Sequence, residues 1–327
     1  MSQSQFLSNC TADAMEKAAA QLAAGDLVAF PTETVYGLGA DACNRGAVDR
    51  IYQVKGRPAD HPLIVHIASM DRMGDWASEI PEFAIKLARD FWPGPMTLIV
   101  QRSQLAQDFI TGGQETVGLR VPDHVVARAL LEAFEKVGGK GVAAPSANRF
   151  GHVSPTTAPA VVEELGQYLA PDDLVLDGGA CAVGVESTII DCTGSAPRIL
   201  RPGAISDEMI LESTGLEVIR GSVADYKQAQ IRVSGSLENH YAPAARVLLD
   251  LQPTPGQGFI ALASTQTPEG VIRLAAPVND EDFARILYSS LRSADSQGLT
   301  EVVVTQPIGT GIAEAIRDRL SRAANGR

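Results

Sequence analysis

The chain has 327 residues and a formal net charge of -12, and 45% of its residues are hydrophobic. This length and composition are typical of a globular enzyme with two domains or one large one, and the acidic balance argues against broad electrostatic binding to nucleic acid. Its four cysteines form no CxxC pair, which disfavours a zinc site. Because the sequence has neither a long apolar run nor a secretion-type N-terminus, we expect a cytoplasmic protein without membrane contact.

Short buried strands and helices are predicted through the first two thirds of the chain. A helix at 11–24, capped by Thr11, precedes a strand at 27–30 and a loop at 31–42 that is rich in hydroxyls and glycine. A helix at 47–55 ends in the turn KGRP. Further strands are predicted at 62–67, 96–102, 115–122, 173–180, 187–193 and 197–205, and 141–148 is predicted as a strand that runs into a turn. Further helices are predicted at 70–77, 81–92 and 124–134.

The stretch between 216 and 244 differs from its surroundings. It is polar, has no clear hydrophobic period and contains serine, glycine and proline, which predicts an interdomain linker. The sequence therefore divides into a domain at 1–215, the linker at 216–244 and a unit at 245–327. In this last unit strands and helices alternate, which predicts a small α/β layered domain.

The KGRP turn is the first candidate site. Lys55 and Arg57 are separated only by Gly56, and such close cations are favourable when they share an anion. A lysine point charge beside an arginine fork suits a phosphate. The alternative is a pair of solvated surface cations. His61 and His66 follow; either is compatible with an ordinary surface or core position, but His66 ends a buried strand and can reach a pocket there.

Cations and small hydrogen-bond donors recur at other predicted strand ends, where α/β sheets bind ligands. The sequence has no Walker A motif, no GxGxxG fingerprint and no GxSxG nucleophile motif. We therefore interpret these residues as hydrogen-bond donors to a ligand. The alternative for the loop at 31–42 is a tight turn with capping threonines, and the alternative for Thr156 or Thr157 is helix capping. The residues concerned are Thr32, Thr34, Tyr36, Arg120, Ser146, Asn148, Ser154, Ser187, Thr188 and Arg201.

These motifs together resemble a known family. KGRP with SAN resembles the KxR…SxN tetrad of YrdC-type proteins, and PTETVYGLG, HPLIVHI, WPGPMTLIV, VGLRVP, SPT, GVESTIID and ILRPG stand in that family's order. This resemblance covers about residues 12–215. NHYAP and the α/β unit after it are similar to the longer, two-domain threonylcarbamoyl-AMP synthases.

The resemblance implies an α/β fold: a YrdC-like twisted mixed sheet with helices around a large central cavity, and a small Rossmann-like C-terminal domain. It implies an enzyme that makes threonylcarbamoyl-AMP from L-threonine, bicarbonate and ATP and releases pyrophosphate. A tRNA threonylcarbamoyl transferase would use the product. Mg²⁺ would arrive with ATP, without a dedicated protein site.

The same resemblance assigns residues to two ligands. Lys55 and Arg57 would carry catalysis, because fixed cations offset the repulsion among the anionic groups that must meet. Arg120 suits the threonine carboxylate through its fork geometry. The full nucleotide set is Lys55, Arg57, His61, Thr116, Ser146, Asn148, Ser154 and Arg201, with Asn239, His240 and Tyr241 as a lid, and the threonine set is Thr34, His66, Arg120, Ala144 and Ser187.

Two alternatives belong to other classes. A binding module for double-stranded RNA or tRNA would need a basic face, against which the net charge counts. A carbamoyl-transferring maturation module shares the pattern of the first domain, but such chains also carry zinc-finger and acylphosphatase segments, which this sequence lacks. Release of pyrophosphate distinguishes the synthase from an RNA-binding protein.

Overall fold

The computed structural model describes residues 7–219, 231–233 and 241–326. Their strands form two sheets, one of eleven strands and one of four. The strands of the larger sheet are β1 (Leu7–Asn9), β2 (Val28–Phe30), β3 (Gly37–Asp41), β4 (Ile64–His66), β5 (Ala77–Glu79), β6 (Met96–Arg102), β7 (Thr116–Arg120), β8 (Val142–Ala143), β9 (Leu174–Asp177), β10 (Thr188–Asp191) and β11 (Arg198–Arg201).

Helices surround this sheet. They are α1 (Ala12–Ala24), α2 (Arg45–Lys55), α3 (Met73–Trp76), α4 (Glu82–Phe91), α5 (Asp108–Thr111), α6 (Val125–Lys136), α7 (Ala158–Leu165) and α8 (Asp207–Thr214). None of the helices within the described ranges is long and apolar enough to cross a membrane.

The larger sheet is mixed, with the order β1-β9-β2-β3-β8-β4-β7-β6-β10-β11, and β5 pairs with β6. Strands β4 and β7 are parallel, and their last residues, His66 and Arg120, are partners in the register. Strands β10 and β11 form an antiparallel pair next to β6. Side chains at the ends of these strands therefore lie near one another, as expected for a ligand site in an α/β sheet.

Local sequence explains where helix α2 ends. Asn44 caps its N-terminus, and the chain leaves the helix at Gly56 with a positive φ of 61°. A side chain at Gly56 would also begin 2.7 Å from Nη2 of Arg149. Glycine thus satisfies both the left-handed backbone and the close packing, and it places Lys55 and Arg57 on either side of a tight turn.

Two sequence predictions were wrong in detail. The expected loop at 31–42 includes strand β3, since Gly39 lets this strand pack closely between β2 and β8: a Cβ there would lie 2.8 Å from Phe30 and Val142. The expected helix at 70–77 is a 3₁₀ turn at Met70–Arg72 followed by the single turn α3 and strand β5.

The smaller sheet contains β12 (Arg246–Leu249), β13 (Gly258–Ile260), β14 (Ile272–Ala275) and β15 (Glu301–Val304). All its strand pairs are parallel, in the order β12-β15-β13-β14. Helices α9 (Asp280–Ser296) and α10 (Ile312–Ala324) pack on it and on each other around a second apolar core. The α/β character predicted for the C-terminal unit is confirmed.

Most of the predicted linker, at 220–230 and 234–240, lies outside the described residues. The short described piece at 231–233 lies against the larger sheet. Arg232 exchanges two hydrogen bonds with the side chain of Gln114, at 2.7 and 3.0 Å. Val233 packs with Ile99 and Ile189.

Candidate active-site cavity

A cavity opens where several strands of the larger sheet end. Residues from several strand ends, from the KGRP turn and from the last part of the predicted linker contribute to its wall. The lining includes nine of the residues that the resemblance assigns to the nucleotide or to threonine: Thr34, Arg57, His66, Arg120, Ala144, Ser146, Ser187, Arg201 and Tyr241. Thr32, predicted as a further donor, lines it as well.

His66 and Arg120 form one wall at the ends of β4 and β7. Burial and the neighbouring Arg120 lower the pKa of His66 to about 3, so its imidazole is neutral at physiological pH. Nη2 of Arg120 lies 2.7 Å from Oε1 of Glu33, in an ion pair that is almost fully buried. Neither Nδ1 of His66 nor Nε of Arg120 has a hydrogen-bond partner within the described parts of the chain. This wall therefore offers polar groups to a ligand.

The second wall is the β10–β11 pair. Arg201 donates from Nε and Nη2 to the carbonyl oxygen of Ser187, at 3.1 and 3.0 Å, and Nη2 also lies 3.1 Å from the Ser187 hydroxyl. The Ser187 hydroxyl is 2.8 Å from that of Thr97 on β6. Both cavity residues are buried, so their positions are fixed before any ligand binds.

The KGRP turn contributes Arg57 to the cavity wall and leaves Lys55 behind it. Nη2 of Arg57 donates to the carbonyl of Pro62 at 3.0 Å. Burial lowers the pKa of Arg57 to about 10, so it remains charged at neutral pH. Lys55 is also buried and donates to the carbonyl oxygens of Ser146 and Asn148. Burial, and then the charge of Arg57, hold its pKa well below the usual value.

The loop after β8 carries two predicted residues with different surroundings. Ser146 lies in the cavity wall and forms an isolated β-bridge with Gly37. The side chain of Asn148 is buried and donates to the carbonyl oxygens of Arg149 and His152, both at 2.8 Å. In this structure Asn148 shapes the loop and Ser146 faces the cavity.

Three further predicted residues lie outside the main cavity. The ring of His61 packs edge-on against Phe150, with centroids 5.4 Å apart. Thr116 lines a smaller neighbouring pocket beside Arg232. The hydroxyl of Ser154 is buried and donates to Glu186 at 2.6 Å. Their predicted nucleotide contacts therefore stay predictions.

The predicted lid is described only at Tyr241. Asn239 and His240 lie outside the described residues. Tyr241 lines the cavity and is 1% exposed. Its ring stacks on that of Tyr288 from helix α9, with centroids 5.7 Å apart.

Glu186 also lines the cavity, but it was not predicted as a site residue. Its position immediately before Ser187 in GVESTIID was the available signal. Arg319, the partner of this carboxylate, was not predicted either, because nothing in the charged helix DRLSRAA marks one arginine as buried. Glu33, the partner of Arg120, was noted only as part of the loop.

The cavity gathers three buried arginines, Arg57, Arg120 and Arg201, in a chain with net charge -12. No cluster of histidine, cysteine or acidic residues suited to a metal ion occurs within 7–219, 231–233 and 241–326. Together, the fold and the site define an α/β protein with a preformed pocket for a small anionic ligand.

Comparisons with known proteins identify the family. A family model described as "Telomere recombination" (Sua5/YciO/YrdC) matches residues 20–203, and one described as "Threonylcarbamoyl-AMP synthase, C-terminal domain" matches residues 205–325. The chain therefore belongs to the Sua5/YciO/YrdC family, in its two-domain form.

Relatives of similar length support this assignment. The chain is 39% identical to threonylcarbamoyl-AMP synthase of Pyrococcus abyssi, over 93% of this chain and 92% of the relative. It is 37% identical to the Bacillus subtilis protein of the same name, over 95% and 93% of the two chains. The crystal structure of P. abyssi Sua5 complexed with L-threonine matches with a TM-score of 0.87 and 37% identity, covering 98% of each chain.

Proposed function

We propose that this protein is an L-threonylcarbamoyladenylate synthase, which converts L-threonine, bicarbonate and ATP into threonylcarbamoyl-AMP and pyrophosphate. The observation that carries the proposal is the convergence of Arg57, Arg120 and Arg201 on one cavity, in a chain that matches two threonylcarbamoyl-AMP synthases over 93% and 95% of its length. The product would serve a cytoplasmic transferase that modifies tRNA. The acidic chain itself needs no direct contact with nucleic acid.

The wall of His66 and Arg120 suits L-threonine. The guanidinium of Arg120 can receive the carboxylate as a fork, with Glu33 holding its other side. The neutral imidazole of His66 can exchange hydrogen bonds with the amino acid without adding a charge that repels its ammonium form. Ser187 and Thr34 supply hydroxyls close by in the same cavity.

The residues around Arg57 and Arg201 suit the nucleotide. Arg57 and Arg201 are buried, charged donors, and such groups interact more strongly with phosphate in a water-poor cavity than at an exposed surface. Ser146 adds a hydroxyl. Lys55 fixes the loop that presents Ser146 and adds positive potential from behind the wall.

The proposed reaction has two steps. The neutral amine of threonine attacks the carbon of bicarbonate or CO₂ to give a carbamate. Water leaves in the case of bicarbonate, and one proton passes from the amine to solvent in the case of CO₂. A carbamate oxygen then attacks the α-phosphorus of ATP; the new O–P bond forms as the bond to the bridging oxygen breaks, and pyrophosphate leaves. Because anionic groups must approach one another, the arginines lower the barrier mainly by stabilising charge. No side chain is assigned as general base.

Mg²⁺ enters this proposal as part of the substrate Mg²⁺-ATP. The acidic residue of the cavity wall, Glu186, is already bound by Ser154, Tyr288 and Arg319. A magnesium ion needs oxygen ligands, and the nucleotide phosphates and water provide them. The protein then contributes charge and position, and no separate metal site.

The direct test is pyrophosphate release from Mg²⁺-ATP by the purified protein. We expect release that requires both L-threonine and bicarbonate. Release without threonine would contradict the assigned amino acid. A folded protein that releases no pyrophosphate with all three substrates would contradict the synthase and favour the alternative of an RNA-binding module.

Arg120→Lys tests the proposed threonine site. We expect the KM for L-threonine to rise roughly 10- to 100-fold, because lysine cannot replace the two-point contact of a charged fork. Steady-state kinetics at saturating ATP measures the change. Arg198→Lys is the matched control, since Arg198 pairs with Asp191 at 2.6 Å and does not line the cavity. An equal effect of both substitutions would contradict the assignment of Arg120.

A further inference from the structure

Arg319 of helix α10 belongs to the small domain, yet its guanidinium binds the wall of the cavity. Only 1% of it is exposed. Nε donates to Oε2 of Glu186 at 2.8 Å, and Nη2 donates to the carbonyl of Pro202 at 3.0 Å. Nη2 also reaches the backbone carbonyl of Glu186, at 3.4 Å. One side chain thus joins two segments of the larger domain.

Both segments carry a cavity residue next to the residue that Arg319 holds. Ser187 follows Glu186, and Arg201 precedes Pro202. These neighbours lie at one end of the antiparallel β10–β11 pair, where Arg201 already donates to Ser187. The position of Arg319 therefore affects the spacing of the two cavity residues.

Tyr288 of helix α9 adds to the same contact. Its hydroxyl donates to Oε2 of Glu186 at 2.8 Å, and its ring stacks on Tyr241. Cζ of Arg319 lies 5.5 Å from the centre of the Tyr241 ring. Tyr241 adopts a positive φ of 65°, which costs energy for a residue other than glycine. The two helices of the small domain thus hold this strained residue at the cavity wall.

The contact is ionic under physiological conditions. Burial alone would favour the neutral acid of Glu186, but Arg319 and Arg201 lower its pKa to about 2. The buried carboxylate of Glu186 is hydrogen-bonded to residues of both domains, and this fixes their relative position at this point. Removal of either charged partner would leave the other buried without a counter-charge.

We propose that Arg319 is a positioning residue of the reaction, which holds Ser187 and Arg201 in register through Glu186 and Pro202, with Tyr288 supporting it. The inference rests on the proposed function. It gives the small domain a part in catalysis: two of its helices complete the rear of the active-site wall.

Arg319→Met, compared with Arg292→Met, tests this role. Arg292 also bridges the domains, through Glu164 and the carbonyl of Val153, but neither partner lines the cavity. We expect Arg319→Met to lower kcat/KM for ATP roughly 30- to 100-fold, since small displacements of catalytic groups have effects of this size. Arg292→Met should stay within about threefold of the wild type. Both proteins are assayed below their unfolding temperatures.

A double-mutant cycle with Arg201→Lys separates positioning from a general loss of structure. If Arg319 acts through Arg201, the double variant loses less than the product of the two single losses. Arg292→Met combined with Arg201→Lys should lose the full product. The proposal is overturned if the double variant of Arg319→Met and Arg201→Lys loses the full product of the two single losses. It is also overturned if the two methionine variants have equal effects.

Two further measurements keep the result decisive. Calorimetric titration with Mg²⁺-ATP should show binding weakened about tenfold in Arg319→Met and unchanged in Arg292→Met. If the wild type binds ATP but releases no pyrophosphate, the proposed function fails while this titration still tests Arg319. If Arg319→Met does not fold, Tyr288→Phe takes its place, and an unchanged kcat/KM in that variant overturns the role of the cluster.

Discussion

Arg57→Ala is expected to lower kcat about 100- to 1,000-fold, the range found when one preorganised charge-stabilising donor is removed from an active site. Arg57 is the charged residue that the KGRP turn places in the cavity wall. Because Arg57 is buried, no flexible lysine or arginine of the surface can take its place once it is removed. Pyrophosphate release at saturating threonine, bicarbonate and Mg²⁺-ATP measures the effect.

Arg45→Ala is the matched control for this prediction. Arg45 stands at the other end of the same helix, α2, with its guanidinium over the ring of Phe109 at 4.8 Å. The Arg45→Ala substitution removes the same charge as Arg57→Ala without altering the cavity, and we expect its kcat to stay within about twofold of the wild type. If Arg57→Ala retained the rate of Arg45→Ala, the cation in the turn would have no part in the chemistry.

Site residues could be predicted where a local sequence pattern marks them, and not where only a tertiary contact does. His66 and Arg120 could be assigned because each ends an apolar run, and parallel pairing of β4 and β7 then brings them together. The hydrogen bonds from Lys55 to the carbonyl oxygens of Ser146 and Asn148 could not be predicted. Every residue has a backbone carbonyl, so the sequence does not show which carbonyls a lysine will contact.

The same limit applies to the fold. Helix α1 was predictable from Thr11, whose hydroxyl accepts from the backbone of Ala14, and from Gly25, which ends it in the left-handed conformation. Strand β3 was not, because its glycines suggest a loop and only packing between β2 and β8 makes them suitable for a strand. Likewise, Arg319 depends on how the two domains meet, and no local pattern encodes that contact.

Lys55→Met is the second substitution for which we expect a large effect, and its signature is loss of activity without matching loss of stability. Lys55 is fully buried, and both burial and Arg57 disfavour its charged form. Methionine fills similar space without that cost, while the carbonyls of Ser146 and Asn148 lose a donor. These effects oppose each other, so the free energy of unfolding should change by less than about 2 kcal/mol. kcat/KM should fall at least about 100-fold, because the cavity loses the positive potential behind its wall and the loop of Ser146 loses its support.

The pH dependence of stability distinguishes this explanation from simple damage to the loop. A lysine whose pKa is lower in the folded state than in the unfolded state binds fewer protons when folded over the interval between the two values. The folded state is therefore favoured as pH rises through that interval towards the ordinary lysine value of about 10.4. Urea unfolding should show the wild type gaining stability relative to Lys55→Met as pH rises from 7 to about 10. A constant difference would mean that the burial of Lys55 carries no electrostatic cost in the folded state, which would contradict this explanation.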